Sequence, residues 1–250
     1  MKYLATVSYD GTNYYGFQRL NDLPTIQKEL EKAVSIINKK DTLVKGAGRT
    51  DKNVHALGQR ATFELDYDLK LNKLKKALNN LLPQDIYITK IEKVNSDFHP
   101  RFMVKEKTYT YKINSGKYNP LLSNYTYYFD YKLDIKKIKK VAKNFIGIHH
   151  FDNFVSGERE NYEAIIYKIK VTKEKDIISI TLVGKSFYRY MVRNIIGAIL
   201  DVLKGKVKEK DIIEMLDNYN VKKTLSCAPA CGLYLIKIRY WLLTYILVPF

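Results

Sequence analysis

One order of elements occurs twice along this chain, and no other feature restricts its fold as strongly. Tyr3, Ala5, Val7 and Tyr9 alternate with Leu4, Thr6 and Ser8, the period of a strand. Asp10-Gly11 turns the chain. Pro24-Thr25 opens a helix, with Thr25 as N-cap and Ile26, Leu30, Ala33, Val34 and Ile37 along its apolar face. A short strand follows at residues 43–45, then a longer one through Gln59, Ala61, Phe63 and Leu65. Leu71, Leu74, Leu78 and Leu81 make a second helical face, stopped by Pro83, and residues 86–94 give a further strand. The order is strand, helix, strand, strand, helix, strand.

It then recurs. Residues 107–113 read as a strand with Tyr109 and Tyr111 on one face. Ile135, Ile138, Val141, Ala142 and Phe145 form a helix whose outer face carries Lys136, Lys137, Lys139 and Lys140. Residues 162–172 and 177–183 read as two strands joined at residues 173–176. A long helix is expected over 187–203, a short inserted one over 208–216, and a closing strand over 232–241. Two βαββαβ halves predict an α+β protein of two ferredoxin-like, RRM-like subdomains, a mainly antiparallel sheet flanked by helices. The division is expected near residues 96–103, giving subdomains 1–100 and 101–250. No low-complexity linker separates them.

Composition narrows the partners. Forty-three lysines and arginines stand against 26 acids, a formal charge of +17. That excess suits a polyanion, nucleic acid first, or else only solvates the surface; charge alone does not separate the two. The 21 tyrosines can stack on bases, although tyrosine at strand spacing is also ordinary packing. The N-terminus lacks the apolar core of a signal peptide, and no apolar run approaches the ~20 residues of a spanning helix. Cys227 and Cys231 give no disulfide framework and read as two small core residues, in keeping with a cytoplasmic protein. No defensible metal set emerges. His55 and His99 stand alone, and His149-His150, read at a helix end, suit capping or packing. The apolar tail over residues 241–250 is expected to pack against the protein or a second subunit.

Residues 45–59 hold the chemistry. Gly46 and Gly48 let the backbone bend, Arg49-Thr50-Asp51 follow at once, then come Asn53, His55 and Gly58. A carboxylate beside an arginine on such a loop is presented at a surface and kept ionised. The same composition also makes a plain turn with a weak surface ion pair. Dinucleotide and phosphate-loop motifs fail for want of a third glycine and of a Gly-Lys-Ser/Thr. A zinc deaminase site fails because His55-Ala56-Leu57 has no Glu.

Gly48-Arg49-Thr50-Asp51, followed by Val54-His55-Ala56, resembles the active-site signature of the tRNA pseudouridine synthase A family. The resemblance recurs along nearly the whole chain. It includes Tyr14-Tyr15-Gly16-Phe17-Gln18-Arg19, Asp97-Phe98-His99-Pro100-Arg101-Phe102 with Tyr109 beyond, Met191-Val192-Arg193-Asn194, and Ala228-Pro229-Ala230 with Gly232-Leu233-Tyr234-Leu235. Residues 52–53 depart from it. Lys52-Asn53 stands where most members have a small residue and then Gly, and Asn is the least costly non-Gly choice for a positive φ. Phe17 replaces a frequent Trp, and Met103 a usually smaller residue.

The resemblance implies isomerisation of uridine to pseudouridine in the anticodon arm of tRNA, at positions 38 to 40, by a homodimer without cofactor or metal, in a cleft between the halves. It implies Asp51 as nucleophile. Three routes stay open: addition to C6 of the base, attack on C1′ of the sugar, or removal of the C2′ proton. Arg193 lies in an apolar helix and needs a partner, since a buried unpaired guanidinium is costly; the resemblance assigns it to Asp51. Tyr109 is implied to stack on the target base, Arg49 to contact the RNA or fill the gap left by a flipped base, and Leu233 to line the pocket. A non-catalytic RNA-binding protein of two RRM-like halves is the alternative. It shares the charge and aromatics, but has no use for Asp51 and should show an RNP1 pattern that is not found. An aspartate hydrolase would need a general base for water, and no carboxylate or histidine near Asp51 in sequence is an obvious candidate.

Overall fold

A computed structural model describes residues 1–158, 160–217 and 224–241. In chain order its elements are β1 (Lys2–Tyr9), α1 (Ile26–Asn38), β2 (Lys45–Gly46), β3 (His55–Glu64), α2 (Leu71–Leu81), β4 (Ile86–Lys93), β5 (Val104–Asn114), β6 (Tyr127–Tyr128), α3 (Ile135–Lys143), β7 (Gly147–His150), β8 (Glu163–Glu174), β9 (Ile177–Gly184), α4 (Met191–Leu203), α5 (Glu209–Asp217) and β10 (Leu233–Tyr240). The protein is α+β. The pairs β1–β3, β1–β4, β2–β3, β5–β9, β7–β8 and β8–β9 are antiparallel, and β5–β6 is parallel.

The chain divides into two compact units, Met1–Lys105 together with the chain from Leu235, and Glu106–Tyr234. The division read from sequence at residue 100 stands beside a changeover at Lys105 and a return to the first unit at Leu235.

In the first unit the strands run β4-β1-β3-β10. Ala5 on β1 lies opposite Ala61 on one side and Ile91 on the other. With β1 on one edge of β3, the two-residue β2 and β10 share its other edge, so β4-β1-β3-β2 is the ferredoxin-like order with a shortened second strand. Gly58 is required there: a Cβ would meet the Ile236 carbonyl oxygen at 2.3 Å. Thr25 caps α1 by accepting from Lys28 N–H at 3.4 Å, and Ile26, Leu30, Ala33 and Val34 are buried as the apolar stripe requires. Two residues correct the reading of the helices. Ile37 is only half-buried, and Leu81 is exposed while Leu82 is buried. Pro83 forces the preceding residue out of the helix, so Leu82 becomes extended (ψ 149°) and completes the stripe begun by Leu74 and Leu78.

In the second unit the order is β5-β9-β8-β7. Elements β5, α3, β8, β9 and α4 repeat the βαββα order, with β6, β7 and α5 as additions. β8 and β9 pair from Glu174↔Ile177 back to Ile166↔Gly184, leaving Lys175-Asp176 as a two-residue turn, with Lys175 at φ 50°. Asp134 caps α3, accepting from the amides of Lys136 and Lys137. The long helix is shorter than its sequence suggests. Tyr190 takes a left-handed φ of 62°, so α4 begins at Met191 rather than at 187.

Two further corrections belong here. His149 and His150 lie on strand β7, not at a helix end, because Gly147 at φ 119° breaks the chain out of the α3 direction. Cys227 is exposed and Cys231 half-buried, so neither is a core residue. Among the described residues no helix is long and apolar enough to cross a membrane. Beyond the exposed Trp241, the tail expected to pack lies outside the described residues.

Candidate active site

The loop between β2 and β3 is held at nearly every peptide. Ala47 N–H donates to Arg60 O at 2.7 Å, the Gln59 amide to Gly48 O at 3.0 Å, Phe17 N–H to Thr50 O at 3.1 Å, and Val54 N–H to Asp51 O at 3.2 Å. The Thr50 hydroxyl shares a 2.8 Å hydrogen bond with the buried Tyr9 phenol. Burial pushes that phenol up to about 12, against the opposing bonds of Thr50 and Gln59, so it stays a neutral anchor. The backbone on both sides of Asp51 is therefore fixed, and the half-buried carboxylate is presented from a rigid base. Arg49 is exposed beside it.

The loop over residues 10–19 forms the outer wall of this arrangement. Gly16 has φ 95°, and a Cβ there would meet Thr50 O at 2.5 Å and the Asp51 carbonyl carbon at 3.1 Å. A Cβ on Gly46 would strike the Phe17 ring at 2.3 Å. Asn53 has the left-handed φ of 62° expected for a residue standing in for glycine, and its N–H donates to Tyr14 O at 3.2 Å. His55 is buried; its Nδ1 accepts from Gly11 N–H at 3.1 Å, which puts any neutral-ring proton on Nε2. Asp10 lies 3.1 Å from the same nitrogen. His55 thus has a loop-holding role, and the sequence signal for it was its place within the motif.

The second unit holds the other three expected residues. Tyr109 is buried on β5 opposite Leu182, with the Phe187 ring edge-on at 5.2 Å. Arg193, in the first turn of α4, donates from Nε to Ala228 O at 2.7 Å, and Ala228 N–H returns a bond to Arg193 O at 3.1 Å. The Tyr190 ring lies 4.9 Å from its guanidinium carbon. The segment over 226–233 is fastened along its length. Buried Asp201 accepts from the Ser226 amide at 2.7 Å and its hydroxyl at 2.8 Å, and Tyr111 donates to Pro229 O at 2.8 Å. Gly232 packs where a Cβ would meet Lys112 O at 2.7 Å, which delivers Leu233, buried, to the start of β10. Sequence reasoning did not find the reciprocal Arg193–Ala228 bonds, because a backbone acceptor leaves no mark on residue type. Among the described residues no cluster of three His, Cys, Asp or Glu side chains could hold a metal.

Comparison with known proteins covers both groups of residues. Residues 5–103 and 141–241 match the family described as tRNA pseudouridine synthase. The chain is 42% identical to the tRNA pseudouridine synthase A of Pseudothermotoga lettingae, covering 96% of this chain and 99% of that one. It is 40% identical to the protein of the same name from Caldicellulosiruptor saccharolyticus, over 95% and 98%. The Borrelia hermsii protein of that name is 39% identical, over 96% and 99%.

Proposed function

The chain belongs to the tRNA pseudouridine synthase family, and on that premise we propose that it isomerises uridine to pseudouridine in tRNA with Asp51 as the nucleophile. The observation that carries this reading is the rigid presentation of Asp51 from a loop within the matched residues 5–103. In the reaction the bond from C1′ of the ribose to N1 of the uracil breaks, the detached base turns, and C1′ bonds to C5. The C5 proton leaves and N1 gains one, so nothing is added or lost overall. A fixed ionised carboxylate supplies what the bond-breaking step needs, by whichever of the three routes it proceeds.

The remaining roles belong to the same proposal. Tyr109 stacks on the target base, Arg49 contacts the RNA or fills the vacated stack, Leu233 lines the base pocket, and Arg193 is the cation that serves the same step. We further propose the anticodon arm, positions 38 to 40, as the site of modification, a homodimer as the working form and the cytoplasm as its location. No cofactor or metal is invoked. A binding protein of two RRM-like halves accounts for the charge but not for a carboxylate fixed on both flanks.

Asp51→Ala tests the reading. Release of tritium from tRNA labelled at uracil C5 should be abolished, since no second acid stands in the motif. Affinity for tRNA should be kept or slightly raised, because phosphate contacts come from cations elsewhere and one repelling charge is gone. Wild-type release by the variant would overturn the assignment.

A further inference from the structure

We propose that Gln27 and Glu31 on α1 are positioning residues for Asp51, acting through the backbone of Val44 at the entrance of its loop; the inference rests on the reading above. Glu31 is a carboxylate on α1 that is buried, only 7% exposed, beside the apolar stripe of Ile26, Leu30, Ala33 and Val34. Its Oε1 accepts from Val44 N–H at 3.1 Å and from the Gln27 side-chain amide at 3.0 Å. Oε2 lies 3.2 Å from the Arg19 guanidinium without a hydrogen bond to it, a charge contact only.

Gln27 completes the arrangement. Its amide nitrogen also donates to Val44 O at 2.9 Å, and its amide oxygen accepts from Arg19 N–H at 2.9 Å. Its backbone N–H donates to Phe17 O at 2.9 Å. Both polar groups of the Val44 peptide backbone are thus taken by two side chains four residues apart, one turn of one helix. Val44 is the residue from which β2 starts toward Asp51. Phe17, held by the same Gln27, donates to Thr50 O and lays its ring on Gly46. The two side chains therefore set the entrance of the loop directly, while Thr50, the residue before Asp51, is tied to α1 by a separate path through the Gln27 backbone N–H and Phe17.

A buried carboxylate is costly to retain for stability alone, and an apolar residue of similar size would pack on this face. The pair's bonds converge on the loop's backbone, so its loss should displace Asp51. A displacement of about 1 Å at a reacting group costs on the order of 100-fold in rate.

The test uses full-length protein and single-turnover pseudouridine formation at saturating tRNA, well below the melting temperature. Gln27→Met and Glu31→Leu should each lower the rate about 100-fold while the tRNA concentration for half-saturation changes by less than about twofold. Glu31→Gln, which keeps an acceptor for the Val44 amide, should recover most of the rate. Leu74→Ala in the core of α2 serves as the control, with a lowered melting temperature and an unaltered rate. Full rate in Gln27→Met, or equal loss in Leu74→Ala, overturns the proposal, as does a loss that appears only in half-saturation. Gln27→Met keeps the side-chain volume, so the question stays answerable if Glu31→Leu does not fold. Absence of pseudouridine with the wild type would instead refute the function itself.

Discussion

Gly16→Ala should disable the enzyme without touching any reacting group. Gly16 has φ 95°, a conformation that costs an L-residue about 1–3 kcal/mol. The new methyl would lie 2.5 Å from the Thr50 carbonyl oxygen, and ordinary contact begins at 3.4 Å, so that carbonyl must withdraw by about 0.9 Å. It belongs to the residue before Asp51, and Phe17 N–H and the Tyr9 phenol hold that residue in place. Overpacking against backbone adds about 1–3 kcal/mol. The total of about 2–6 kcal/mol corresponds to a fall in melting temperature of roughly 4–24 °C for a chain of this size. A shift near 1 Å in the proposed nucleophile would cost about 100-fold in kcat, while tRNA affinity, if set by cations elsewhere, should hold. Tritium release measured beside a binding titration separates the two quantities. If Gly16→Ala kept wild-type kcat, the rigid seating of Asp51 would not matter to catalysis, and the reasoning here would fail.

Asn53→Gly should keep activity and raise the melting temperature slightly, whereas Asn53→Val should damage both, because a β-branched residue resists φ 62°; a fully active valine variant would refute the strain argument. Affinity for tRNA should fall steeply with salt, the log–log slope being about 0.7–0.9 per phosphate neutralised, as the +17 charge implies; a flat titration would remove nucleic acid as the partner. Glu92 is raised by burial but lowered further by Lys90 and Arg60, so its carboxyl sits below its ordinary 4.5 in the fold. Its contribution to stability is therefore present above pH 4.5 and lost as pH falls through the folded value. Glu92→Gln should lower the melting temperature at pH 7, with the gap to wild type closing in acid, and a gap unchanged down to pH 3 would count against the Arg60 pairing.

The fold was legible wherever hydrophobic period and length agreed. β1 and β3 are long enough for alternation to show, and Thr25 marks the start of α1 by its capping chemistry. Short elements escaped. β6 and β7 have two and four residues, too few to display a period, and both owe their state to the neighbouring strand rather than to their own sequence. The aromatic run before α4 has helical spacing, yet the positive φ of Tyr190 ends the helix there, and no residue preference announces it. In the site, residue types revealed the Asp51 loop. Backbone acceptors such as Ala228 O, and the Gln27–Glu31 pair beside the apolar stripe of α1, emerged only from the structure.

The departure at residues 52–53 shows how a loop keeps its geometry when its sequence drifts. A non-Gly residue at φ 62° costs about 1 kcal/mol, and the Asn53 side-chain oxygen is buried without a hydrogen-bond partner, a further cost of about 1–3 kcal/mol. Asn53 is therefore present for the backbone it tolerates and not for what its oxygen binds. Opposing this, glycine would cost about 0.5–1 kcal/mol in chain entropy. Lys52 also places its ammonium 3.9 Å from the centre of the Tyr15 ring, a contact worth about 0.5–1 kcal/mol. That ring belongs to the 10–19 loop, whose Tyr14 carbonyl accepts the Asn53 N–H. Both departures thus bear on the same outer wall that Gly16 and Phe17 build. By these figures they cost the turn about 0–3 kcal/mol net, which the fold tolerates because the wall, more than the residues of the turn, holds the path of the chain past Asp51.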